Sequence, residues 1–213
     1  TNDRFTAFVA DELSVGRVTN VYWQGKANGS LLLGTDSTID LGTAAAPATL
    51  NIGWNESTGN SGYSQYLNYS SATGRLDASE GTLTAELSEL NVGRTAGRGT
   101  ASGTLIMGDG TTINTVEANI GMGSTTEGGA TGTLDVRGGS LSFAGADSSL
   151  NFGSGSLTIA DGVDFTVGSA ADRLGHLRIG YNVSGVDLAN TAIDQTNDRF
   201  TAFVADELSV GRV

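Results

Sequence analysis

One four-residue phrase, apolar–any–apolar–glycine, recurs along this chain and leaves few folds open to it. It stands at Leu13-Ser14-Val15-Gly16, Leu50-Asn51-Ile52-Gly53, Leu90-Asn91-Val92-Gly93, Ala118-Asn119-Ile120-Gly121, Leu150-Asn151-Phe152-Gly153 and Leu177-Arg178-Ile179-Gly180, among others. Alternation with a period of two puts the outer pair on one face of a strand and the middle residue on the other. The glycine that follows supplies a backbone geometry in which the chain can turn a corner. Helical spacing is hard to find anywhere. Thirty-two glycines without a collagen period would ordinarily suggest disorder. Yet 38% of the 213 residues are hydrophobic and fall in short alternating runs, which disordered chains lack. The reading is an ordered, turn-dense β protein.

Longer periods organise these strands. The phrase Ala-x-Gly-x-Leu begins at Ala72, Ala101 and Ala130, in steps of 29, with a looser echo from Ala160. The apolar beats at 76–78, 83–85 and 90–92 correspond to those at 134–136, 141–143 and 150–152. Ile52, Ile120 and Ile179 mark a larger frame with steps of 68 and 59. Finally, residues 1–18 return letter for letter as 196–213, an offset of 195. Self-similarity on these scales is the mark of a repeat architecture.

The expectation is an all-β, right-handed parallel β-solenoid with about three short strands per coil. About six coils would make one 195-residue unit, advancing roughly 29 Å at the ~4.8 Å strand spacing. Residues 1–195 form that unit. Its three diverged sub-repeats run over 52–119, 120–178, and 179–195 continuing into 1–51 of the next copy. Residues 196–213 open the next repeat. A propeller needs four antiparallel strands per blade, and an immunoglobulin-like sandwich leaves the glycine-marked spacing unexplained.

Stacking makes two local forecasts. Asn51, Asn91, Asn119 and Asn151 share the middle position of the phrase. They read either as a side-chain amide ladder along the axis or as small polar outward residues. Asp77 and Asp135 match in position, but the coil between them offers Ile106; an uncharged spacer avoids like charges placed directly opposite.

Composition removes several function classes. The net charge is −12 and Lys26 is the only lysine, so no basic run exists to follow a phosphate backbone and no nucleic-acid partner is expected. No apolar stretch reaches the ~20 residues of a membrane helix. With no Cys, disulfides and Cys-based zinc sites are unavailable. The lack of a signal peptide and of an initiating Met suits an internal segment of a tandem array. Catalysis finds little support: His176 has no marked nucleophile, and Asp161, Asp164 and Asp172 read as solvating carboxylates. The nonapeptide calcium-roll pattern is missing. No catalytic residue, metal or cofactor is expected.

Where function is legible, it lies at the ends and in the loops. Solenoid edges invite pairing with another strand unless capped. Neither terminal segment resembles a cap, because Phe5, Phe8, Leu13 and Val15 return as Phe200, Phe203, Leu208 and Val210. These residues are expected to stack one copy on the next, head to tail. Residues 54–71 break the strand rhythm and hold Trp54, Tyr63, Tyr66 and Tyr69. With Tyr181 these aromatics are candidate platforms for sugar rings. Sequons at Asn28, Asn55, Asn68 and Asn182 are candidate glycosylation sites. In so Asn- and Ser/Thr-rich a chain, about that many sequons would also arise by chance.

The runs Gly103-Thr104-Leu105-Ile106-Met107 and Gly132-Thr133-Leu134-Asp135-Val136 resemble bacterial autotransporter passenger domains and other large extracellular β-solenoid adhesins. The resemblance is one of architecture and covers most of the chain. It implies a secreted or surface-attached protein of adhesion, matrix or fibre, and transfers no site residues. The expected function is a structural repeat of an extracellular fibre or adhesin stalk. The alternatives are a carbohydrate-active β-helix enzyme, lyase or hydrolase, and a glycan-binding module.

Overall fold

The computed structural model describes residues 10–19, 25–57, 70–97, 99–123, 128–169, 173–180, 192–193 and 200–211. All regular structure among them is strand. β1 (Glu12–Thr19) comes first, and six rounds follow. They are β2 (Lys26–Leu32), β3 (Thr38–Leu41) and β4 (Ala48–Glu56); β5 (Ser71–Ala78) and β6 (Thr82–Thr95); then β7 (Gly99–Met107) and β8 (Thr111–Gly123). The last three are β9 (Gly128–Val136), β10 (Ser140–Phe143) and β11 (Ser149–Phe152); β12 (Gly155–Ile159), β13 (Phe165–Val167) and β14 (Leu174–Ile179); β15 (Ala192–Ile193), β16 (Phe200–Phe203) and β17 (Ala205–Val210).

Pairing between rounds is parallel throughout. One wall is the six-stranded sheet β15-β12-β9-β7-β5-β2. The long wall is a nine-stranded sheet with the path β1-β4-β6-β8-β11-β14-β17, on which β3 joins β6 and β10 joins β8. β13 and β16 form a separate pair. Each round is thus one coil of a parallel β-solenoid, and the fold class expected from the glycine-punctuated phrase is the one observed.

The registers follow the repeats. Ala72, Ala101 and Ala130 lie directly above one another. Along the long wall the ladder reads Val15, Ile52, Val92, Ile120, Phe152, Ile179, Val210. Its first and seventh rungs are the same residue of two copies, 195 positions apart. Ile52, Ile120 and Ile179 take alternate rungs. Asp77 sits against Ile106 and Ile106 against Asp135, so the uncharged spacer falls between the two acids as stacking requires.

Three strand segments per coil persist, with one refinement. In the two central coils the second and third segments fuse into the long strands β6 and β8. Ser88 is the extra residue at the β4–β6 irregularity, where Ala48 faces Leu87 and Thr49 faces Glu89. A bulge of this kind bends a strand without breaking it. It also resets the alternation: Leu87 and Leu90 are both buried although three positions apart. Val116 occupies the matching place in β8 and is accordingly exposed.

The interior is a single apolar column drawn from all walls, including Leu50, Leu76, Leu90, Leu105, Leu134 and Phe152. Where the long wall turns its corner, the two walls touch backbone to backbone. Gly53 has φ +67°, and a Cβ there would stand 1.9 Å from the Ser102 carbonyl oxygen. On the other side a Cβ at Gly103 would stand 2.2 Å from the Gly93 amide nitrogen and 2.3 Å from the Ile52 carbonyl oxygen. The glycine inside Ala-x-Gly-x-Leu is therefore the receiving half of the corner glycine.

Candidate functional site

Two features of the long wall bear on function: the edges of its first and last strands, which carry no further strand among the described residues, and a polar strip on its outer face. β1 pairs with β4 and packs against β2 and β5. β17 pairs with β14 in the register His176–Glu207, Leu177–Leu208, Arg178–Ser209 and Ile179–Val210. The Gly211 amide then donates to the Ile179 carbonyl at 2.8 Å. The Gly153 amide makes the same bond to the Ile120 carbonyl two rungs below. The β14–β17 step, between the end of one unit and the start of its duplicate, is an ordinary rung.

Leu208 and Val210 point along the core-facing direction but are 63% and 70% exposed, whereas Val15, the same residue one unit earlier, is 6% exposed. The difference lies in the facing wall. Val15 lies in β1, opposite β2 and β5, while among the described residues β17 packs mainly on β14. Of the other residues expected to join repeats, Leu13 and Phe203 are partly buried against the core. Phe200 enters the β16 backbone opposite Phe165. Phe5 and Phe8 lie outside the described residues.

Charge complements this rung. Arg173 Nε bonds Asp206 and its Nη2 donates to the Ala205 carbonyl at 2.7 Å. His176 Nδ1 lies 3.1 Å from Glu207 Oε2. Asp206 and Glu207 are the second copies of Asp11 and Glu12.

The polar strip is an amide ladder, so the stacked alternative for the middle-position asparagines holds. Nδ2 of Asn91 donates to Oδ1 of Asn51 at 2.8 Å, Asn119 to Asn91 at 3.2 Å, and Asn151 to Asn119 at 3.0 Å. Arg178 closes one end by donating to Asn151 Oδ1, and Glu12 and Ser14 accept from Asn51 at the other. A cation thus meets the acceptor end and an anion the donor end. The Ser14 hydroxyl, outweighing burial with the help of Arg17 and Asn51, holds the Glu12 carboxyl below the ordinary range. The asparagines are buried because neighbouring long side chains fold over them. Arg94, just past the Gly93 corner, reaches back to Glu89 and Asn91.

Trp54 sits in this strip with its ring already engaged. Register places it between Arg17 and Arg94, whose guanidinium carbons lie 4.7 and 6.0 Å from the ring centroid. A cation on a ring face takes the place a sugar would need. Arg17 is further fixed by Glu12 and by Glu56, at 2.8 Å.

Asn55 is fully buried. Its Nδ2 donates to Ser70 O, Ser70 Oγ and Thr100 O, while its Oδ1 accepts from the amide and hydroxyl of Ser57. In the folded chain this amide ties the corner after β4 to two other segments, and a glycan on it has no room. Asn28 is exposed on β2, the edge of its sheet. Asn68, Asn182, Tyr63, Tyr66, Tyr69 and Tyr181 lie outside the described residues.

His176 serves the β14–β17 rung described above. Among the described residues no three His, Asp or Glu side chains converge to hold a metal ion. The Arg–Trp–Arg stack beside the forecast ladder was not foreseen. Partners in the two columns stand 28 to 40 positions apart, and uneven coil lengths hide such spacings. No family model, curated protein or solved structure matches the chain.

Proposed function

We propose that the chain is a structural repeat of an extracellular fibre or adhesin stalk, its units stacked head to tail as one continuous β-solenoid. The observation that supports this reading is the long-wall ladder whose first and seventh rungs are Val15 and Val210, the same residue of successive copies. A unit that returns to its own starting strand after six coils repeats without a seam. The junction needs no special interface, since parallel backbone pairing and the Arg173–Asp206 ion pair already serve there. The partner in this reading is another copy of the chain, and the activity is mechanical rather than chemical.

Negative-stain microscopy of native material tests it. Thin, uniform filaments with a subunit rise near 29 Å, from six rungs at ~4.8 Å, are the expected result. Discrete particles one unit long at every concentration would overturn it.

A further inference from the structure

The second strand segments of the coils, namely β3, the first halves of β6 and β8, then β10, β13 and β16, line a wall of their own, and that wall is interrupted. β3 joins β6, β6 joins β8 and β10 joins β8, while β13 joins β16, but no ladder connects β10 to β13 among the described residues. The gap lies well inside the chain, between the fourth and fifth coils. At the same boundary the other two walls are bonded. β9 pairs with β12 from Gly132–Gly155 to Val136–Ile159, and β11 pairs with β14 from Ser149–His176 to Phe152–Ile179.

Corner length accounts for the gap. Three residues carry the chain from the six-stranded sheet into the second wall in the second, third and fourth coils: 79–81, 108–110 and 137–139. These corners lie directly on one another. A Cβ at Gly110 would stand 2.4 Å from the Gly81 carbonyl oxygen, and one at Gly139 would stand 2.5 Å from that of Gly108. The fifth coil uses five residues, 160–164. Its Val163 amide bonds back to the Ala160 carbonyl, and a Cβ at Gly162 would find nothing within 4 Å. A corner that stands off the one below it delivers its strand outside the ladder. Side chains close the gap instead: Leu141, Phe143, Phe165 and Val167 are at most 4% exposed and belong to the common core.

We propose that this seam is a joint. The fifth and sixth coils tilt against the first four by opening it, while the six-stranded sheet and the long wall stay bonded. The pivot is the opposite corner, Gly153-Ser154-Gly155, where the chain itself crosses from the fourth coil to the fifth. There the Gly153 amide donates to the Ile120 carbonyl and the Ser154 amide to the Gly121 carbonyl. Hinges are commonly a few element-terminal residues that absorb the backbone change. Apolar contact across the seam is non-directional and permits small displacements, whereas a hydrogen-bonded ladder weakens steeply when misaligned. In a fibre, a clause that rests on the head-to-tail reading, the joint recurs once in each unit and is the first boundary to part under tension.

Spin labels on the full chain test this. Thr84→Cys with Thr166→Cys spans the seam over three rungs, about 14 Å along the axis. Thr73→Cys with Thr158→Cys spans the same coils on the bonded six-stranded sheet, and all four residues are exposed. The seam pair is expected to give a distance distribution at least twofold broader than the sheet pair. Amide exchange of the unmodified chain gives a second reading. The Ala144 amide bonds the Thr115 carbonyl, and successive amides of a strand point to opposite neighbours, so the amides of Leu141 and Phe143 face the seam. They are expected to exchange at least tenfold faster than those of Ile113 and Thr115, although all four side chains are buried.

Equal widths for the two label pairs, or protection of Leu141 and Phe143 equal to that of β8, would overturn the joint and leave head-to-tail stacking in place. A broad seam pair and fast amides in a chain that never forms filaments would overturn the fibre and leave the joint as a property of the single unit. Both expected readings together establish it.

Discussion

Asn91 carries two ladder bonds, donating to Asn51 and accepting from Asn119, and also accepts from Arg94. Removing it strands a buried acceptor on one neighbour and a buried donor on the other, and each such loss exceeds the modest net value of the bond itself. Asn91→Ala is expected to lower unfolding stability by about 1–3 kcal/mol, read from urea denaturation. Asn28→Ala, on an exposed edge position, should stay within about 0.5 kcal/mol of the parent.

A second residue ties stability to pH. Burial works against the charge on Asp77, but the Ser79 hydroxyl and amide and the Arg75 guanidinium outweigh it and hold its carboxyl below the ordinary range. A carboxyl depressed on folding stabilises above its unfolded value, about 3.9. That contribution disappears as pH falls through the folded value. Asp77→Asn should therefore lower the melting temperature at neutral pH and flatten the acid side of the profile. A parallel offset persisting at low pH would mean that Asp77 acts through packing alone.

At the scale of the element, the corner decides whether a strand can exist in its place. Gly103→Ala drives a methyl into two backbone atoms of the facing corner, the Gly93 nitrogen at 2.2 Å and the Ile52 oxygen at 2.3 Å. Neither can move without opening the sheet, so the loss should exceed about 4 kcal/mol and prevent folding as judged by circular dichroism. Gly145 makes the contrast. It has φ +92° but nothing within 4 Å of a new Cβ, so Gly145→Ala should cost only the left-handed backbone penalty of about 1–2 kcal/mol.

The same elements show what a reader of the sequence can reach. The apolar pairs and the corner glycines are local signals, and they led directly to short strands, coils and the spacing of Ala72, Ala101 and Ala130. The stacked asparagines were visible because they share one position in a repeated phrase. The fusion of strands in β6 turns on a short join: one residue, Glu86, separates Ala85 from Leu87, where six separate their partners Leu41 and Ala48 in the neighbouring coil. The guanidinium groups over Trp54 come from coils 37 and 40 residues away, lengths that no constant period announces. Asn55 was misleading for a similar reason. Its sequon is written in three adjacent letters, while the acceptors that bury it belong to Ser70 and Thr100.

For the whole molecule, stability in a solenoid is close to a sum of coil terms and interfaces between neighbouring coils, so a strand without a facing wall is a weak point. β17 has its backbone partner in β14 but lacks a facing wall among the described residues, and Leu208 and Val210 stand 63% and 70% exposed. Extending the chain past Val213 by residues 19–56 of a further copy supplies the equivalents of β2, β3 and β4. Leu208 and Val210 would then take the partly buried and buried settings that Leu13 and Val15 have at the other end. Burying a Leu and a Val side chain contributes roughly 1.5–3 kcal/mol each, against the entropy of ordering the added residues. Amide exchange resolves the outcome locally. In the extended chain the amides of 205–210 should slow towards the rate of β8, while those of β8 itself stay unchanged. If 205–210 exchange as fast as before, the added coil has not docked on this edge, and the ladder does not continue from one copy into the next.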